Sequence, residues 1–321
     1  MSYFHDIKNK SLLEKCPPSI NINHWKEFRD NYKKANSFNE LKYPIQIDVE
    51  LNGGCNMKCP FCTHGYVKNK IPNILMTFDT FKKIIDEAVS LGTRGLKLNY
   101  INEPMLRKDL EQFIQYAKSA GILNIYFVTN GTLLIPKRWD SIFDSGLTKI
   151  FISIDATTEE IYNKQRLSGQ FNKIRNNVLS FIKERNRRNL QWPLVRVSFL
   201  RNQINLHQEK DFFEFWKDKA DFIAFQKMND LPDIDTGLTL PDLKEKDKRC
   251  SFPFKQLVID HQGDILPCCK LGGKKLALGN IKTMTLKQAW NSESMLKLQT
   301  LHKNNQWQQN LVCKRCISNG S

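Results

Sequence analysis

The sequence predicts an α/β protein: a parallel sheet covered by helices, followed by a small cysteine-bearing C-terminal domain. Three observations carry this. Apolar strand-like runs alternate with amphipathic helical stretches over residues 44–228, the pattern of repeated strand–helix units. A chain of 321 residues is long for one domain and suits two. Seven of its nine cysteines fall into two sets, three at positions 55, 59 and 62 and four at positions 250, 268, 313 and 316.

Residues 1–43 form an N-terminal segment with a helix around 23–34. Six strands follow at 45–51, 95–100, 124–129, 149–155, 194–200 and 222–226. Between them lie helices near 78–91, 109–120, 137–145, 171–188 and 206–219. Thr77 caps the first of these and Gly92 closes it. Residues 229–249, with two prolines and mixed charge, read as a linker. In the C-terminal domain, 250–321, a hairpin pairs 256–260 with 264–267 around Gln262-Gly263, and 286–301 is amphipathic.

Each strand ends in polar residues. Strand two runs into Asn99 and Asn102-Glu103-Pro104, strand three into Thr129-Asn130-Gly131, and strand four into Ser153 and Asp155. Strand five ends near Ser198 and Arg201, strand six at Gln226 and Lys227. Strand one leads straight into Cys55, Cys59 and Cys62, a C-x3-C-x2-C loop. Three thiolates supply three ligands. A four-iron cluster held this way keeps one iron open, whereas a four-thiolate site is closed. The alternative is a zinc knuckle completed by His64. Cys250, Cys268, Cys313 and Cys316 suit a second, closed site, and a structural zinc fits four thiolates equally well.

The cysteine loop, with Phe61 before its last cysteine, resembles the signature loop of the radical S-adenosylmethionine (radical SAM) enzymes. The hairpin ending in G-x4-C, Leu278-Gly-Asn-Ile281, the segment 286–291 and the final C-x2-C resemble the C-terminal extension called SPASM. With the chain stopping five residues after Cys316, the shorter one-cluster form, called twitch, fits better. The cysteine pattern is most similar to that of the aminocyclitol dehydrogenase of butirosin biosynthesis.

The resemblance implies a partial (β/α)6 TIM-like barrel, where chemistry gathers at the C-terminal strand ends. It implies two [4Fe-4S] clusters, one radical SAM and one auxiliary, together with S-adenosylmethionine. The open iron of the first chelates the cosubstrate, whose reductive cleavage gives a 5′-deoxyadenosyl radical. Asn102-Glu103-Pro104 resembles the end of the family's Gly-Gly-Glu-Pro motif, with Tyr100 and Ile101 in place of the glycines. The motif's Glu and nearby carbonyls hold the methionine ammonium, so Glu103 takes that role. Phe61 is placed to contact adenine, and Asn130 joins the cofactor-binding set. Ser153 and Asp155 resemble groups that contact ribose or substrate, the alternative for Asp155 being a helix cap. Arg166 resembles an Arg-Gly element whose partner is the cosubstrate carboxylate or the substrate.

Cys16 and Cys269 are left over. Cys16 has no assigned role. Cys269 is either a small buried hydrophobe or a catalytic hydrogen-atom donor to a substrate radical.

Lys and Arg total 49 against 33 acidic residues, a net charge of +16. Such a surface attracts anions: an anionic small molecule or peptide substrate, or an acidic flavodoxin or ferredoxin-type reductant. The basic clusters are short and no aromatic-interleaved basic motif accompanies them, which disfavours a nucleic-acid role. Residues 1–10 lack the apolar core of a secretory signal, and no run approaches the ~20 apolar residues that span a bilayer. Cysteines destined for metal belong in a reducing compartment, so the expected location is the cytoplasm, with no membrane partner.

The expected function is an oxidoreductase that takes hydrogen from a C–H bond of a sugar, aminocyclitol or similar small molecule, giving dehydrogenation or epimerisation. The preference for a small molecule rests on the lack of an evident N-terminal peptide-binding domain. Maturation of a ribosomally made peptide is the alternative, and RNA modification a further one. From a different class comes a non-catalytic zinc-stabilised binding protein, which iron content separates from the enzymes.

Overall fold

A computed structural model describes residues 15–17, 20–66, 71–228, 236–240 and 249–318. The expected linker at 229–249 lies mostly outside the described residues, as do residues 1–14. The strands are β1 (Gln46–Val49), β2 (Gly95–Lys97), β3 (Asn124–Thr129), β4 (Lys149–Ser153), β5 (Leu194–Arg201), β6 (Phe222–Lys227), β7 (Gln256–Ile259), β8 (Asp264–Leu266) and β9 (Gly279–Asn280). The helices are α1 (Ile22–Asn36), α2 (Thr63–Tyr66), α3 (Phe78–Leu91), α4 (Leu110–Ala120), α5 (Trp139–Asp144), α6 (Glu159–Arg166), α7 (Phe171–Arg187), α8 (Glu209–Trp216), α9 (Leu286–Trp290), α10 (Glu293–Lys303) and α11 (Leu311–Ser318).

All strands join one sheet in the order β6-β5-β4-β3-β2-β1-β7-β8-β9. Pairing is parallel from β6 through β1 to β7, then antiparallel to β8 and β9. The first six form the TIM-like core. The C-terminal hairpin extends that sheet instead of making its own: β7 lies along β1 in the register Gln46↔Gln256 to Val49↔Ile259.

β1 explains how the barrel interior becomes polar. Gln46, Asp48 and Glu50 alternate with fully buried Ile47, Val49 and Leu51. Period-two geometry sends the two sets to opposite faces. The apolar set joins the core with Phe81, Ile84 and Ile85 of α3 and Phe113 of α4. The polar set faces inward, where Asp48 meets Lys97 at 3.1 Å and Gln46 meets the Tyr126 hydroxyl at 3.1 Å.

Several elements differ from expectation for local reasons. β2 stops at Lys97, because the Asn99 side chain takes the Val128 amide (3.0 Å) that a longer strand would pair through its backbone. β4 stops at Ser153, just before Asp155 adopts a left-handed φ of 66°. α5 starts after a 3₁₀ turn at Pro136–Arg138, whose proline suits a first turn. α6 was not expected. Thr158, not Asp155, caps it, and Glu159 and Glu160 favour its N-terminus. The amphipathic stretch at 286–301 breaks into α9 and α10 where Ser292 caps the second. The C-x2-C pair sits on α11, also unexpected.

The C-terminal part is anchored to α1 and its following loop. Ser251 Oγ and Lys255 Nζ donate to Asn36 Oδ1 at 3.2 and 2.9 Å, and the Trp290 indole donates to Leu41 O at 3.0 Å. Phe38 and Phe254 meet edge to face at 5.6 Å. Among the described residues, no helix is long and apolar enough to cross a membrane.

Candidate active site and metal centres

The cysteine loop is built as a closed excursion from β1. At its base Asn52 bridges Leu75, and Gly53 N donates to Ile74 O at 3.2 Å. Arg107 clamps the two ends, donating to Leu51 O (3.1 Å) and Met76 O (2.8 Å), and Asp109 holds its other face. Within the loop Cys62 N donates to Cys59 O (3.0 Å) and Gly65 N to Cys62 O (2.8 Å). A Cβ on Gly65 would stand 2.1 Å from Cys59 O, so only glycine permits this turn. Cys55, Cys59 and Cys62 share one electrostatic neighbourhood. Burial pushes the Cys55 thiol up to about 12, and the charges of Glu103, Cys62 and Cys59 add to that.

Glu103 is buried and well supplied with donors. Its Oε1 accepts from Thr129 Oγ1 (2.7 Å) and Met105 N (3.1 Å), and its Oε2 from Asn130 N (2.7 Å). Burial raises its pKa, and these hydrogen bonds oppose the rise. Glu103 N donates to Gly54 O at 2.9 Å, directly beside Cys55. Asn102 spends its amide on Asn52 Oδ1 (2.8 Å) and its oxygen on Tyr100 N (3.2 Å). Asn130 donates to Asn56 Oδ1 (2.8 Å) and accepts from Thr132 N (3.0 Å) and Thr132 Oγ1 (2.7 Å). The strand-two and strand-three ends are thereby tied to the cysteine loop.

On the other side, Arg166 at the end of α6 reaches inward. One guanidinium nitrogen pairs with Asp155 Oδ2, another lies 3.7 Å from Cys59 Sγ, and the guanidinium carbon stands 5.4 Å from the Phe61 ring centre. Asp155 also accepts from Leu200 N (2.8 Å), and Asn205 Nδ2 donates to its carbonyl (2.9 Å). Burial lowers the Arg166 pKa, but the Asp155 and Cys59 charges outweigh it and hold the guanidinium well above its usual range. Ser153 is half-buried and stands opposite Ser198 in the β4–β5 register. Arg201 turns away to Glu209 at 2.6 Å.

The four C-terminal cysteines also gather. Burial, then the charges of Cys250 and Cys316, pushes Cys313 up to about 12. Burial raises Cys268 further, with Cys269, Cys250 and Cys316 as its charged neighbours. A Cβ on Gly273 would stand 3.1 Å from Cys268 Sγ, a close approach of backbone to sulfur. His302 Nδ1 accepts from Cys250 N (3.1 Å), so its Nε2 is the protonated nitrogen, 3.4 Å from Cys313 Sγ. Burial keeps this imidazole neutral, its pKa down at about 4. Cys269 turns from its neighbour into the barrel. Burial raises its pKa while Lys97 opposes, with Asp48 nearby. Cys16 lies apart, its thiol donating to Pro17 O and Ile20 O.

The donors are all sulfur, three thiols in one group and four in the other. A tetrahedral zinc draws its ligands to about 2.3 Å from one point. A cluster spreads its thiolates over separate irons. His64, the fourth ligand of a zinc knuckle, has Glu50 and His261 as its charged neighbours, and burial lowers its pKa. Thiols pushed up by burial and mutual repulsion ionise against a bound metal cation, and thiolate sulfur is the donor that a four-iron cluster takes.

Sequence reasoning missed several groups. Glu50 Oε2 lies 2.6 Å from His261 Nδ1, and Glu50 Oε1 accepts from Ile101 N at 3.0 Å. Tyr100 donates to Lys270 O at 2.9 Å. Asn56, Arg107 and His302 were also not singled out. For Glu50 a signal existed: polar residues at every second position of an otherwise apolar strand.

Residues 49–191 match the model of the radical SAM superfamily, and residues 250–317 match that of the SPASM iron–sulfur cluster-binding domain. A probable GTP 3′,8-cyclase of Methanococcus maripaludis is 32% identical over 142 residues, 43% of this chain and 47% of that protein. The chain thus spans about half the length of the curated relatives it matches. The crystal structure of BtrN in complex with AdoMet and 2-DOIA superposes with a TM-score of 0.57 at 19% identity, over 86% of this chain and 94% of that one. Streptococcus suis SuiB bound to precursor peptide SuiA gives 0.62 at 15% identity, over 87% and 72%. These likenesses concern the fold. With both domain models matched, the chain is a member of the radical SAM superfamily that carries a SPASM domain, and its cofactors are S-adenosylmethionine and two four-iron clusters.

Proposed function

We propose that this enzyme dehydrogenates a small polar molecule of the sugar or aminocyclitol class at a carbinol carbon. The observation that carries the reading is the Glu50–His261 pair on the barrel's inner face. Its 2.6 Å contact uses Nδ1, and Nε2 is buried with no hydrogen-bond partner among the described residues. When bound, the cofactors supply hydrogen-atom abstraction and one-electron acceptance. The residues then have distinct tasks. Cys55, Cys59 and Cys62 hold the first cluster, and Cys250, Cys268, Cys313 and Cys316 the second. Glu103 takes the cosubstrate ammonium, while Phe61 faces its adenine. Asn102, Asn130, Asn56 and Arg107 fix the loop. Ser153, Asp155 and Arg166 line the side where ribose or substrate lies. His261 Nε2 accepts the hydroxyl proton of the carbinol, with Glu50 stabilising the imidazolium. The likeness in fold to BtrN, whose crystal structure is a complex with AdoMet and 2-DOIA, supports a small-molecule substrate. The net charge of +16 suits an acidic flavodoxin or ferredoxin as reductant. We read residues 44–228 as the barrel and 250–321 as the auxiliary domain, after an N-terminal segment at 1–43. The test is an anaerobic assay with dithionite, S-adenosylmethionine and a panel of aminocyclitols and sugars. A ketone product with one 5′-deoxyadenosine per turnover is expected; 5′-deoxyadenosine with no altered panel member sinks the substrate class.

A second reading, peptide maturation, draws on four exposed aliphatic residues in loops at the C-terminal rim. Ile74, Leu75, Leu167 and Leu206 are 46, 55, 62 and 44% exposed. Peptides need such surface, and polar sugars do not.

Changing Glu103 to Ala should weaken S-adenosylmethionine binding about tenfold to a hundredfold without loss of iron, the size of one charge-assisted contact. An unchanged dissociation constant would restrict Glu103 to positioning Asn130 and Thr129.

Cys269 separates reaction types. Dehydrogenation returns no hydrogen, so Cys269→Ala should keep most activity, with a small packing defect. Epimerisation needs a hydrogen from a weak S–H bond. Solvent deuterium on the product carbon in D2O, lost in the Cys269 variant, would replace dehydrogenation with epimerisation.

A further inference from the structure

We propose that His302 raises the reduction potential of the auxiliary cluster by donating a hydrogen bond to the Cys313 sulfur, while its other ring nitrogen holds the main chain at Cys250. The inference rests on the reading of Cys250, Cys268, Cys313 and Cys316 as that cluster's ligands. One imidazole stands between two ligand-bearing elements. His302 lies one residue before the end of α10 and is 1% exposed. Its Nδ1 accepts from Cys250 N at 3.1 Å, so that nitrogen carries a lone pair and no proton. The proton of the neutral ring is therefore on Nε2, which lies 3.4 Å from Cys313 Sγ. An imidazolium could not accept from Cys250, and a ring protonated at Nδ1 would set two N–H groups against each other. A single tautomer satisfies both contacts.

Both partners are anchored independently of the imidazole. Gln299 precedes His302 by three positions and so shares its helix face. Its Nε2 donates to Pro253 O at 2.9 Å, which holds α10 against the segment that follows Cys250. On the other side Asn310 Oδ1 accepts from Val312 N (3.0 Å) and Cys313 N (3.1 Å), orienting the first turn of α11. The contact from Nε2 to sulfur is thus set by two fixed elements, not by a swinging side chain.

The atom that the ring meets gives it more than a packing task. Reduction adds one negative charge to a cluster, and the ligand sulfurs share it. A donor aimed at a sulfur therefore stabilises the reduced state more than the oxidised one, and the potential rises. Burial acts the other way, because a low-dielectric site disfavours added charge. His302 offsets part of that cost. In the dehydrogenation proposed above, a carbinol radical becomes a carbonyl by losing one electron and its hydroxyl proton. His261 takes the proton, and a raised potential suits the auxiliary centre to the electron.

The test is a redox titration of anaerobic, iron-loaded full-length protein followed by electron paramagnetic resonance. It is run in wild type and in the background with Cys55, Cys59 and Cys62 changed to Ala, where the auxiliary cluster alone gives the signal. Two substitutions separate the two contacts. His302→Asn keeps an acceptor for Cys250 N but is too short to reach Cys313, whereas His302→Gln keeps an N–H at the Nε2 position and has no acceptor at Nδ1. His302→Asn should lower the auxiliary potential by about 60 mV, an about tenfold change in the one-electron equilibrium, without loss of iron. His302→Gln should stay within about twofold of wild type in that equilibrium. An unchanged potential in His302→Asn overturns the inference, and so does an equal fall in both variants, which would be a packing effect. If His302→Asn does not hold iron, the unsubstituted histidine decides. With nitrogen-15-labelled histidine, the reduced auxiliary cluster should show a weak nitrogen coupling through the N–H···S contact. No coupling, or the strong coupling of a direct iron ligand, overturns the inference. Stoichiometric zinc in place of the auxiliary iron in wild type overturns the ligand reading and the inference with it. Retained iron with an unchanged potential overturns the inference alone.

Discussion

Replacing Cys55, Cys59 and Cys62 together by alanine should remove about four of about eight irons and all formation of 5′-deoxyadenosine. The two cysteine sets lie on separate elements, one on the loop after β1, the other on the segment before β7, the end of β8 and α11. Losing one set therefore leaves the other's scaffold intact. The reciprocal variant, Cys250→Ala with Cys268→Ala, should lose the other four irons and still cleave S-adenosylmethionine, though without product. Metal-free protein should resist alkylation near neutral pH, since burial pushes Cys55 and Cys313 up to about 12. Iron near four per wild-type chain, with stoichiometric zinc, would make the C-terminal site a structural zinc. The first cluster would stand.

Much of this was legible because strand–helix alternation and cysteine spacing are local in sequence. The six core strands appear within a few residues of their expected limits, shortened where a side chain replaces a ladder bond, as Asn99 does for Val128 N. α6 is absent from the expected helices although Thr158-Glu159-Glu160 is a helix-start signal, because its eight residues are too few to show a helical period. The attachment of β7 to β1 was not legible. Nothing local separates a strand that pairs within its hairpin from one that also joins a sheet more than two hundred residues earlier in the chain. The same limit hid the Glu50–His261 pair, whose residues are distant in sequence and meet only in the fold. Glu103 and Asp155 stood out by motif, but their partners Thr129, Asn130 N and Leu200 N came only with the structure.

Arg166→Ala should destabilise the iron-loaded protein by about 3–5 kcal/mol, the usual penalty for leaving one member of a buried ion pair alone. Asp155 is 1% exposed and, among the described residues, would keep only the Leu200 amide as a side-chain donor. At about 2–4 °C per kcal/mol, Tm should fall by about 6–20 °C. Asp155→Asn alone leaves the guanidinium buried beside Cys59 and Phe61, and should also destabilise, though asparagine tolerates the left-handed φ of 66° as aspartate does. Combining Arg166→Met with Asp155→Asn removes both charges and should recover most of the loss, because a neutral pair of similar volume needs no solvation. The double-variant comparison also separates structure from chemistry. If Arg166 touches the cosubstrate or substrate as well, the recovered double variant will be stable and still bind poorly. If its task is confined to Asp155, stability and binding will return together. A Tm for Arg166→Ala within about 1–2 °C of wild type, a change of ~0.5 kcal/mol, would mean that the Asp155–Arg166 contact adds nothing to the fold.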